Sequence, residues 1–239
     1  MEKIELKEQI ELTSREKEVY RTLRTNLEFS GVENRVIAVS SCTPNDGKST
    51  VSYYLACALA ENGKKTVIVD ADLRKSVFMI RFQIEGKKKG LSHYLSGQSS
   101  INDVIYATNK TNLYVIPTGV FPSNPTELLG NGRLDAALAA LKHTFDYVIV
   151  DTPPIGTVID AAVVAKYCDA SMLVLAAGES SKGEARSAIS QMKTANTNFL
   201  GVVLNKVDVK TGNHYGKRYG KYYGKYYGKY YGTGYDSYY

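Results

Sequence analysis

Short apolar runs alternate along the chain with longer stretches in which apolar positions recur at helical spacing. Six of these runs predict strands, at residues 36–40, 66–69, 113–116, 147–150, 171–176 and 200–204. The runs are continuously apolar, which is typical of parallel strands that are covered on both faces of a sheet. Helical patterns fit between them at 48–61, 132–143, 159–167 and 182–195. The chain is therefore predicted to be an α/β protein with a mostly parallel twisted sheet and helices on both faces.

The first 30 residues precede this alternation. They predict a helix from about residue 12 to 29, with Val19, Leu23 and Leu27 four residues apart on one face and Ser14 as the N-cap. Gly63 is placed to end the helix at 48–61, and segment 71–112 is expected to hold switch loops and one or two short helices. We therefore divide the chain into an N-terminal helical segment (1–30), an α/β domain (31–209) and a tail (210–239).

The tail has an unusual composition. The chain has 19 Tyr and no Trp, and eleven of the Tyr follow residue 214. They are Tyr215, Tyr219, Tyr222, Tyr223, Tyr226, Tyr227, Tyr230, Tyr231, Tyr235, Tyr238 and Tyr239. From Lys210 the chain contains no Leu, Ile or Val, so it cannot bury enough apolar surface to offset its chain entropy. We expect a disordered C-terminal tail.

Charge is concentrated in the same segment. From Lys210 onward there are six Lys or Arg against one Asp, so the tail carries five of the six net positive charges of the chain. The rest is nearly neutral, which argues against a nucleic-acid-binding domain. Cys42, Cys57 and Cys168 show no paired spacing and predict neither a disulfide framework nor a metal site. The charged N-terminus is not a signal peptide, and no apolar run approaches the roughly 18 residues of a membrane span.

Residues 40–50 read Ser-Ser-Cys-Thr-Pro-Asn-Asp-Gly-Lys-Ser-Thr, between a predicted strand and a predicted helix. This is the context of a phosphate-binding P-loop, in which backbone N–H groups and the helix N-terminus converge on phosphate oxygens. Gly47 would permit the tight turn, Lys48 would reach the β- and γ-phosphates, and Ser49 would place its hydroxyl on Mg²⁺. Cys42 departs from the usual pattern, because it stands where the first glycine is expected.

Two predicted strands end in carboxylates. The first reads Val-Ile-Val-Asp-Ala-Asp-Leu-Arg and gives Asp70 and Asp72; the second reads Val-Ile-Val-Asp-Thr-Pro-Pro and gives Asp151. Ligands bind at the carboxyl ends of strands in open α/β sheets, so these side chains are expected near the P-loop. Asp151 would hold Mg²⁺ through water. Asp70 and Asp72 would orient the metal or accept a proton from an attacking hydroxyl.

These three motifs resemble the Walker A, A′ and B motifs of the bacterial tyrosine kinases, in particular the CpsD/CapB type of Gram-positive bacteria. The resemblance covers the whole chain. It includes the loop from Pro44 to Thr50, the Asp-x-Asp-x-Arg motif that ends at Arg74, the Asp-x-x-Pro motif from Asp151 and the Tyr-rich tail. It implies a P-loop NTPase fold and an ATP- and Mg²⁺-dependent kinase that phosphorylates its own tail tyrosines.

The resemblance also assigns site residues. Catalytic groups would be Lys48, Asp70, Asp72 and Asp151, and the metal ligands would be Ser49, Asp70, Asp72 and Asp151. Nucleotide would contact Pro44, Asn45, Asp46, Gly47, Lys48, Ser49, Thr50, Arg74 and, at the adenine, Asn205. Glu18, Arg21 and Arg24 match an E-x-x-R-x-x-R motif that mediates ring-like self-association, with an octamer as one possible size. Spacing alone favours an exposed Glu–Arg pair on a helix; only the resemblance favours the interface.

The implied partners are other copies of the chain, a membrane-spanning activator of capsular or exopolysaccharide synthesis and a cognate tyrosine phosphatase, and not nucleic acid. The implied location is the cytoplasm, at the inner face of the plasma membrane. Two alternatives remain: a ParA/MinD-like ATPase, disfavoured because Thr43 stands where those proteins carry a second lysine, and a nucleotide-binding scaffold without tyrosine transfer. The tail alone would also suit a basic aromatic segment that binds nucleic acid or lipid, or a solvated end without a role.

Overall fold

The computed structural model describes residues 2–7, 11–84, 86, 88–196 and 198–207. The tail, with its eleven predicted phosphoacceptor tyrosines, lies outside the described residues. The chain divides into a compact unit of Met1–Asn205 and a second unit of Lys206–Tyr239. The first 30 residues, predicted as a separate segment, therefore lie within the unit that carries the P-loop.

All six predicted strands are confirmed, and two short ones are added. The eight strands are β1 (Lys3–Ile4), β2 (Val36–Ser41), β3 (Thr66–Asp70), β4 (Tyr106–Thr108), β5 (Leu113–Ile116), β6 (Tyr147–Asp151), β7 (Ala170–Ala176) and β8 (Phe199–Asn205). They form one sheet in the order β1-β4-β5-β3-β6-β2-β7-β8. Every pair is parallel except β4–β5, which is antiparallel. The strand that leads into the P-loop, β2, is an interior strand between β6 and β7.

Helices cover both faces of the sheet, as predicted. They are α1 (Ser14–Phe29), α2 (Lys48–Glu61), α3 (Phe78–Arg81), α4 (Leu91–Leu95), α5 (Pro125–Gly130), α6 (Arg133–Thr144), α7 (Asp160–Ala165) and α8 (Lys182–Ala195). One buried apolar cluster lies on the side of α4 to α8, and a second lies on the side of α2 and α3. No described helix is both long enough and apolar enough to cross a bilayer.

Helix α1 packs against α2 in a regular, parallel arrangement. The rings of Tyr20 and Tyr54 are 5.2 Å apart, Arg24 Nη1 donates to the Ala58 carbonyl at 3.3 Å, and Asn62 Nδ2 donates to Glu28 Oε1 at 3.1 Å. These contacts advance by four residues on each helix, so the two helices run in the same direction. Leu27 is buried and Leu23 packs on the core, whereas Val19, the third residue of the predicted face, is 60% exposed.

The predicted N-cap of α1 is wrong by one residue. Thr13, not Ser14, is the N-cap: its Oγ1 accepts from the Glu16 N–H at 3.3 Å, and Glu16 Oε2 accepts from the Thr13 N–H at 2.8 Å. This reciprocal capping box needs a Glu or Gln three residues after the cap, and Ser14 has Lys17 at that position. The predicted glycine cap of α2 is confirmed. Gly63 has φ +79°, and the N–H groups of residues 63 and 64 donate to the carbonyls of Ala60 and Leu59 in a Schellman pattern.

Candidate active site

The phosphate loop joins β2 to α2 in the predicted way. Gly47 is the N-cap of α2 and has φ +94°, a backbone conformation that favours glycine. The helix that follows is buried over most of its length, so its N-terminus is held firmly at the loop. The first turn of α2 therefore points its unpaired N–H groups, and its positive end, at the place where phosphate would lie.

Cys42 occupies the position of the missing glycine without backbone strain. It is buried and does not have positive φ, so this position does not need a glycine for its conformation. The close approach is instead made by Gly156, in the loop after β6. A Cβ added at Gly156 would lie 2.2 Å from the Cys42 carbonyl oxygen. A larger residue at position 156 would therefore displace the backbone of the phosphate loop at Cys42.

Asp46 holds the loop from inside the protein. Its side chain is buried, and its carboxylate accepts from the Thr43 N–H at 2.8 Å, the Thr43 hydroxyl at 3.1 Å and the N–H of Ala176, at the end of β7, at 3.3 Å. The Asp46 carbonyl accepts from Asn205 Nδ2 at 2.9 Å. The predicted role of Asp46 was to line the nucleotide. Its carboxylate ties the loop to the end of β7, and its backbone carbonyl ties the loop to the end of β8. The predicted contact of Asp46 with nucleotide stays a prediction.

The three predicted carboxylates converge on Lys48. Asp70 and Asp151 are register partners on the neighbouring strands β3 and β6. Lys48 Nζ lies 3.3 Å from Asp72 Oδ2 and 3.8 Å from Asp151 Oδ2. Asp70, Asp72 and Asp151 are all nearly inaccessible to solvent. The structure therefore brings together the predicted catalytic side chains, which follow two separate strands in the sequence.

Hydroxyl groups complete this cluster. Lys48 Nζ donates to Ser49 Oγ at 3.2 Å, and Ser52 Oγ donates to Asp151 Oδ1 at 3.3 Å. Ser76 donates to Asp70 Oδ2. Ser52 and Ser76 were not predicted; Ser52 lies one helical turn after Lys48, so its position on the same face of α2 was a signal that could have identified it.

The electrostatics reflect three buried acids around one base. Burial raises the pKa of Asp70 to about 7, and the charge of Asp151 acts in the same direction. Burial also raises the pKa of Asp151, partly opposed by Lys48. Burial disfavours the charge on Lys48, but the carboxylates of Asp151, Asp72 and Asp70 outweigh it and raise the pKa of the ammonium. The site therefore has an excess of negative charge that favours a bound cation.

Mg²⁺ fits these residues as a shared ligand of protein and nucleotide. Among the described residues, no three His, Cys, Asp or Glu side chains are arranged to hold a metal by themselves. Mg²⁺ is commonly held by one or two carboxylates together with water and substrate phosphates, and does not need an all-protein cage. Ser49 and Asp151 beside the phosphate loop are suited to that mode, with Asp70 and Asp72 close enough to orient bound water.

Arg74 is paired within the protein. Its guanidinium forms a two-point ion pair with Asp160 at the start of α7, with Nε to Oδ2 at 2.6 Å and Nη2 to Oδ1 at 3.1 Å. Thr126 at the start of α5 contacts both residues. The predicted contact of Arg74 with nucleotide stays a prediction. Asp160 was not identified from the sequence, and its pairing across 86 positions leaves no local signal.

The remaining predicted residues occupy distinct surroundings. Pro44 and Asn45 are exposed at the tip of the loop, with Asn45 at φ +70°, and Thr50 is half-buried in α2. Asn205 lies at the end of β8, where a Cβ on Gly47 would be 2.1 Å from its Nδ2. It therefore packs on the loop, which is compatible with the predicted contact to adenine.

The three residues of the predicted self-association motif are divided between two surfaces. Glu18 and Arg21 are exposed, and Arg21 Nη1 lies 3.3 Å from Glu18 Oε2. Arg24 is largely covered by α2, and its Nε lies 3.8 Å from Glu28 Oε2. Glu18 and Arg21 are available to a second molecule, whereas Arg24 already helps to hold α1 in place. The predicted interface remains a prediction.

The three cysteines are free and buried. Burial raises the pKa of the Cys168 thiol well above its usual range, so this side chain behaves as an unreactive core residue.

Comparisons with known proteins agree with this geometry. A family model described as an AAA domain matches residues 34–197. A tyrosine-protein kinase CpsD of Streptococcus agalactiae is 45% identical over 201 residues, which cover 83% of this chain and 88% of that protein. The kinase domain of the Escherichia coli tyrosine kinase ETK superposes with a TM-score of 0.78 at 36% identity, over 83% of this chain and 78% of that one.

The cell division ATPase MinD of Pyrococcus furiosus shares the fold, with a TM-score of 0.64 at 25% identity over 79% of this chain and 80% of that one. Both the structural and the sequence similarity are greater for ETK than for this ATPase. A P-loop, a lysine among three strand-end carboxylates and extensive identity to named kinases lead to one conclusion: the chain belongs to the bacterial tyrosine-protein kinases, built on a nucleotide-binding AAA domain.

Proposed function

We propose that this kinase uses Mg-ATP to phosphorylate the tyrosines of its own C-terminal tail, in trans between copies of the chain, and that it thereby regulates capsular or exopolysaccharide synthesis and export. The observation that carries the proposal is the cluster of Lys48 with Asp70, Asp72 and Asp151 beside a P-loop. The tyrosine-rich segment of the same chain supplies acceptors in a positively charged context.

The chemistry is an in-line transfer. The phenol oxygen of a tail tyrosine attacks the γ-phosphorus, the bond from that phosphorus to the β-phosphate oxygen breaks, and ADP leaves. Backbone N–H groups of the loop and Lys48 stabilise the negative charge that builds up on the phosphate oxygens. The phenol proton goes to a carboxylate. Asp70 and Asp72, the carboxylates that follow β3 beside Lys48, are the groups suited to accept it.

The length of the tail supports transfer in trans. With the disorder predicted from its composition, a tail of about 30 residues would span roughly 30 Å on average and much more when extended, which is enough to reach a neighbouring subunit. The exposed Glu18 and Arg21 of α1 would supply part of a ring-like contact. Each phosphotyrosine adds about −1.5 to −2 charges, so roughly three would cancel the positive charge of the tail and loosen the assembly.

The test uses two full-length variants. The donor is catalytically active and has all eleven tail tyrosines changed to Phe; the acceptor carries Lys48→Met and an intact tail. Incubation with Mg-ATP, followed by phosphotyrosine mass spectrometry, should label the acceptor tail. A control acceptor with Lys64→Met, at the exposed C-terminal end of α2, should phosphorylate itself without a donor.

Three outcomes would contradict the proposal. A Lys48→Met acceptor that stays unlabelled beside an active donor refutes transfer in trans. ATP hydrolysis without any phosphotyrosine, even with the cytosolic peptide of a membrane activator, favours an ATPase of the MinD kind. An unchanged elution volume in size-exclusion chromatography after full phosphorylation refutes the loosening of the assembly.

The remaining parts of the proposal concern partners. A membrane-spanning activator would recruit the kinase to the inner face of the plasma membrane, and a tyrosine phosphatase would reset the tail. The recruitment is tested by membrane fractionation. The kinase should co-purify with the membrane fraction when the activator is present and should not do so when the activator is absent.

A further inference from the structure

Three residues that follow three different strands form a closed cluster beside the carboxylates around Lys48. Arg74 follows β3, Thr126 begins the helix after β5, and Asp160 begins the helix after β6. Thr126 Oγ1 donates to Asp160 Oδ1 at 2.6 Å and accepts from Arg74 Nη2 at 2.8 Å. With the two bonds from Arg74 to Asp160, each residue of the cluster contacts the other two. The cluster therefore fastens the turn after β3 to α5 and α7.

Asp160 is fully buried, whereas the side chain of Arg74 is 39% exposed. A buried carboxylate is tolerated only where it is paired and hydrogen-bonded, and removal of its partner leaves an uncompensated charge. The two-point geometry also fixes the direction of the guanidinium, which a single contact would not. Arg74 is thus held in one orientation by a residue that cannot itself move into solvent without unfolding the start of α7.

The same turn orients Asp72. The backbone N–H groups of Arg74 and Lys75 donate to Asp72 Oδ1 at 3.3 and 3.0 Å, and Lys48 donates to the other oxygen, Asp72 Oδ2, at 3.3 Å. The direction of this carboxylate therefore depends on where the backbone of residues 74 and 75 lies. That backbone is the segment which the Arg74–Asp160 pair fastens.

We propose that Asp160 and Thr126 are positioning residues of the kinase, which act through Arg74 to hold the Asp72 carboxylate against Lys48. The inference rests on the proposed kinase reaction and adds to it a connection between the active site and the starts of α5 and α7. Neither residue touches the phosphate loop in the structure; their described partners are Arg74 and each other.

This arrangement has a kinetic signature. The predicted contacts to ATP lie mostly in the loop and at the start of α2, to which Thr126 and Asp160 make no described hydrogen bond, so the affinity for ATP should change little. Asp72 is predicted to act on Mg²⁺-bound water or on the transferring group, so its displacement should lower kcat and raise the Mg²⁺ concentration needed for half-maximal rate. A displacement of about 1 Å can lower a rate by up to about 100-fold.

Thr126 offers a matched pair of variants, because Thr126→Ser keeps the hydroxyl and Thr126→Val keeps the shape. Tail phosphorylation by the full-length kinase is measured at varied ATP and varied Mg²⁺. Thr126→Val should lower kcat by about threefold to tenfold and raise the half-maximal Mg²⁺ concentration, with the Michaelis constant for ATP within about twofold of wild type. Thr126→Ser should match wild type.

Asp160→Asn and Arg74→Met test the connection directly. Each should lower kcat more than Thr126→Val does, and the double variant should be no worse than the more severe single variant, since both act through one pair. Arg74→Lys should recover part of the activity that Arg74→Met loses. The melting temperature of each variant is measured as well. The rates are then compared at a temperature at which every variant is folded.

Several results would overturn the inference. Wild-type kcat and Mg²⁺ dependence in both Thr126→Val and Asp160→Asn would show that the cluster only stabilises the fold. A higher Michaelis constant for ATP in Arg74→Met but not in Asp160→Asn would show that Arg74 acts on the nucleotide directly. Absence of tail phosphorylation in the wild-type protein would instead refute the proposed function. The same variants would then be compared with wild type by their rates of ATP hydrolysis.

Discussion

Asp70→Asn should make the metal-free protein less sensitive to rising pH. Asp70 is fully buried, and burial together with the facing charge of Asp151 raises its pKa to about 7 from an ordinary value of 3.8. Hydrogen bonds from Ser76 and Thr118 and the charge of Lys48 oppose the increase but do not cancel it. Asparagine has nearly the same shape, keeps an oxygen that can accept from Ser76, and does not titrate.

The sign follows from proton binding. Between about pH 4 and pH 7 the folded protein holds a proton on Asp70 that the unfolded chain has lost, so raising the pH through this window destabilises the fold. Each pH unit within it is worth about 1.4 kcal/mol. Between pH 5.5 and 7.0 this carboxyl should therefore lower the free energy of unfolding by about 2 kcal/mol, or the melting temperature by about 4 to 8 °C for a domain of this size.

The assay is thermal unfolding by circular dichroism in EDTA at several pH values from 5.5 to 7.5. The melting temperature of Asp70→Asn minus that of wild type should grow with pH across this range. Glu33→Gln, at an exposed loop position, serves as the control and should follow wild type. A difference that stays constant from pH 5.5 to 7.5 would refute the raised pKa of Asp70 in the metal-free protein.

Three further changes test other parts of the site and fold. Cys42→Gly should leave the Michaelis constant for ATP within about twofold of wild type in steady-state kinetics, whereas Gly156→Ala should raise it about tenfold or more, because the added Cβ would displace the Cys42 carbonyl. Asp46→Val should weaken binding of a fluorescent ATP analogue by about tenfold, the worth of a hydrogen bond to a charged group, with Asp46→Asn less affected. Thr13→Ala should lower the free energy of unfolding in urea by about 1 kcal/mol, and Ser14→Ala by less than about half of that.

The features that could be predicted from the sequence are those encoded over short distances. The six long strands are continuous apolar runs, and the phosphate loop and strand-end aspartates are short motifs in a strand-to-helix context. Parallel order then places Asp70 and Asp151 at one edge, because adjacent parallel strands end together. The correct N-cap of α1 could also have been predicted from the sequence, since Glu16 lies three residues after Thr13 and completes a capping box.

Features that depend on distant pairing were not predictable. Strand β1 has only two residues, too few for a pattern, and exists because it pairs with β4 about 100 positions later. The antiparallel β4–β5 pair interrupts an otherwise parallel order, through a short connection that includes Asn112 at φ +62°. The ion pair of Arg74 with Asp160 likewise joins two segments that are 86 positions apart, so no local pattern could indicate it.

The interior position of β2 has a consequence for synthesis of the protein. On the ribosome, the phosphate loop emerges early, but its strand neighbours β6 and β7 begin at Tyr147 and Ala170. At roughly 5 to 20 residues per second, the interval between Asp70 and its register partner Asp151 lasts about 4 to 16 seconds. During that interval the nascent chain presents the apolar strands β2 and β3 without the strand that joins them. The carboxylate cluster around Lys48 likewise stays incomplete until β6 brings Asp151 between β2 and β3.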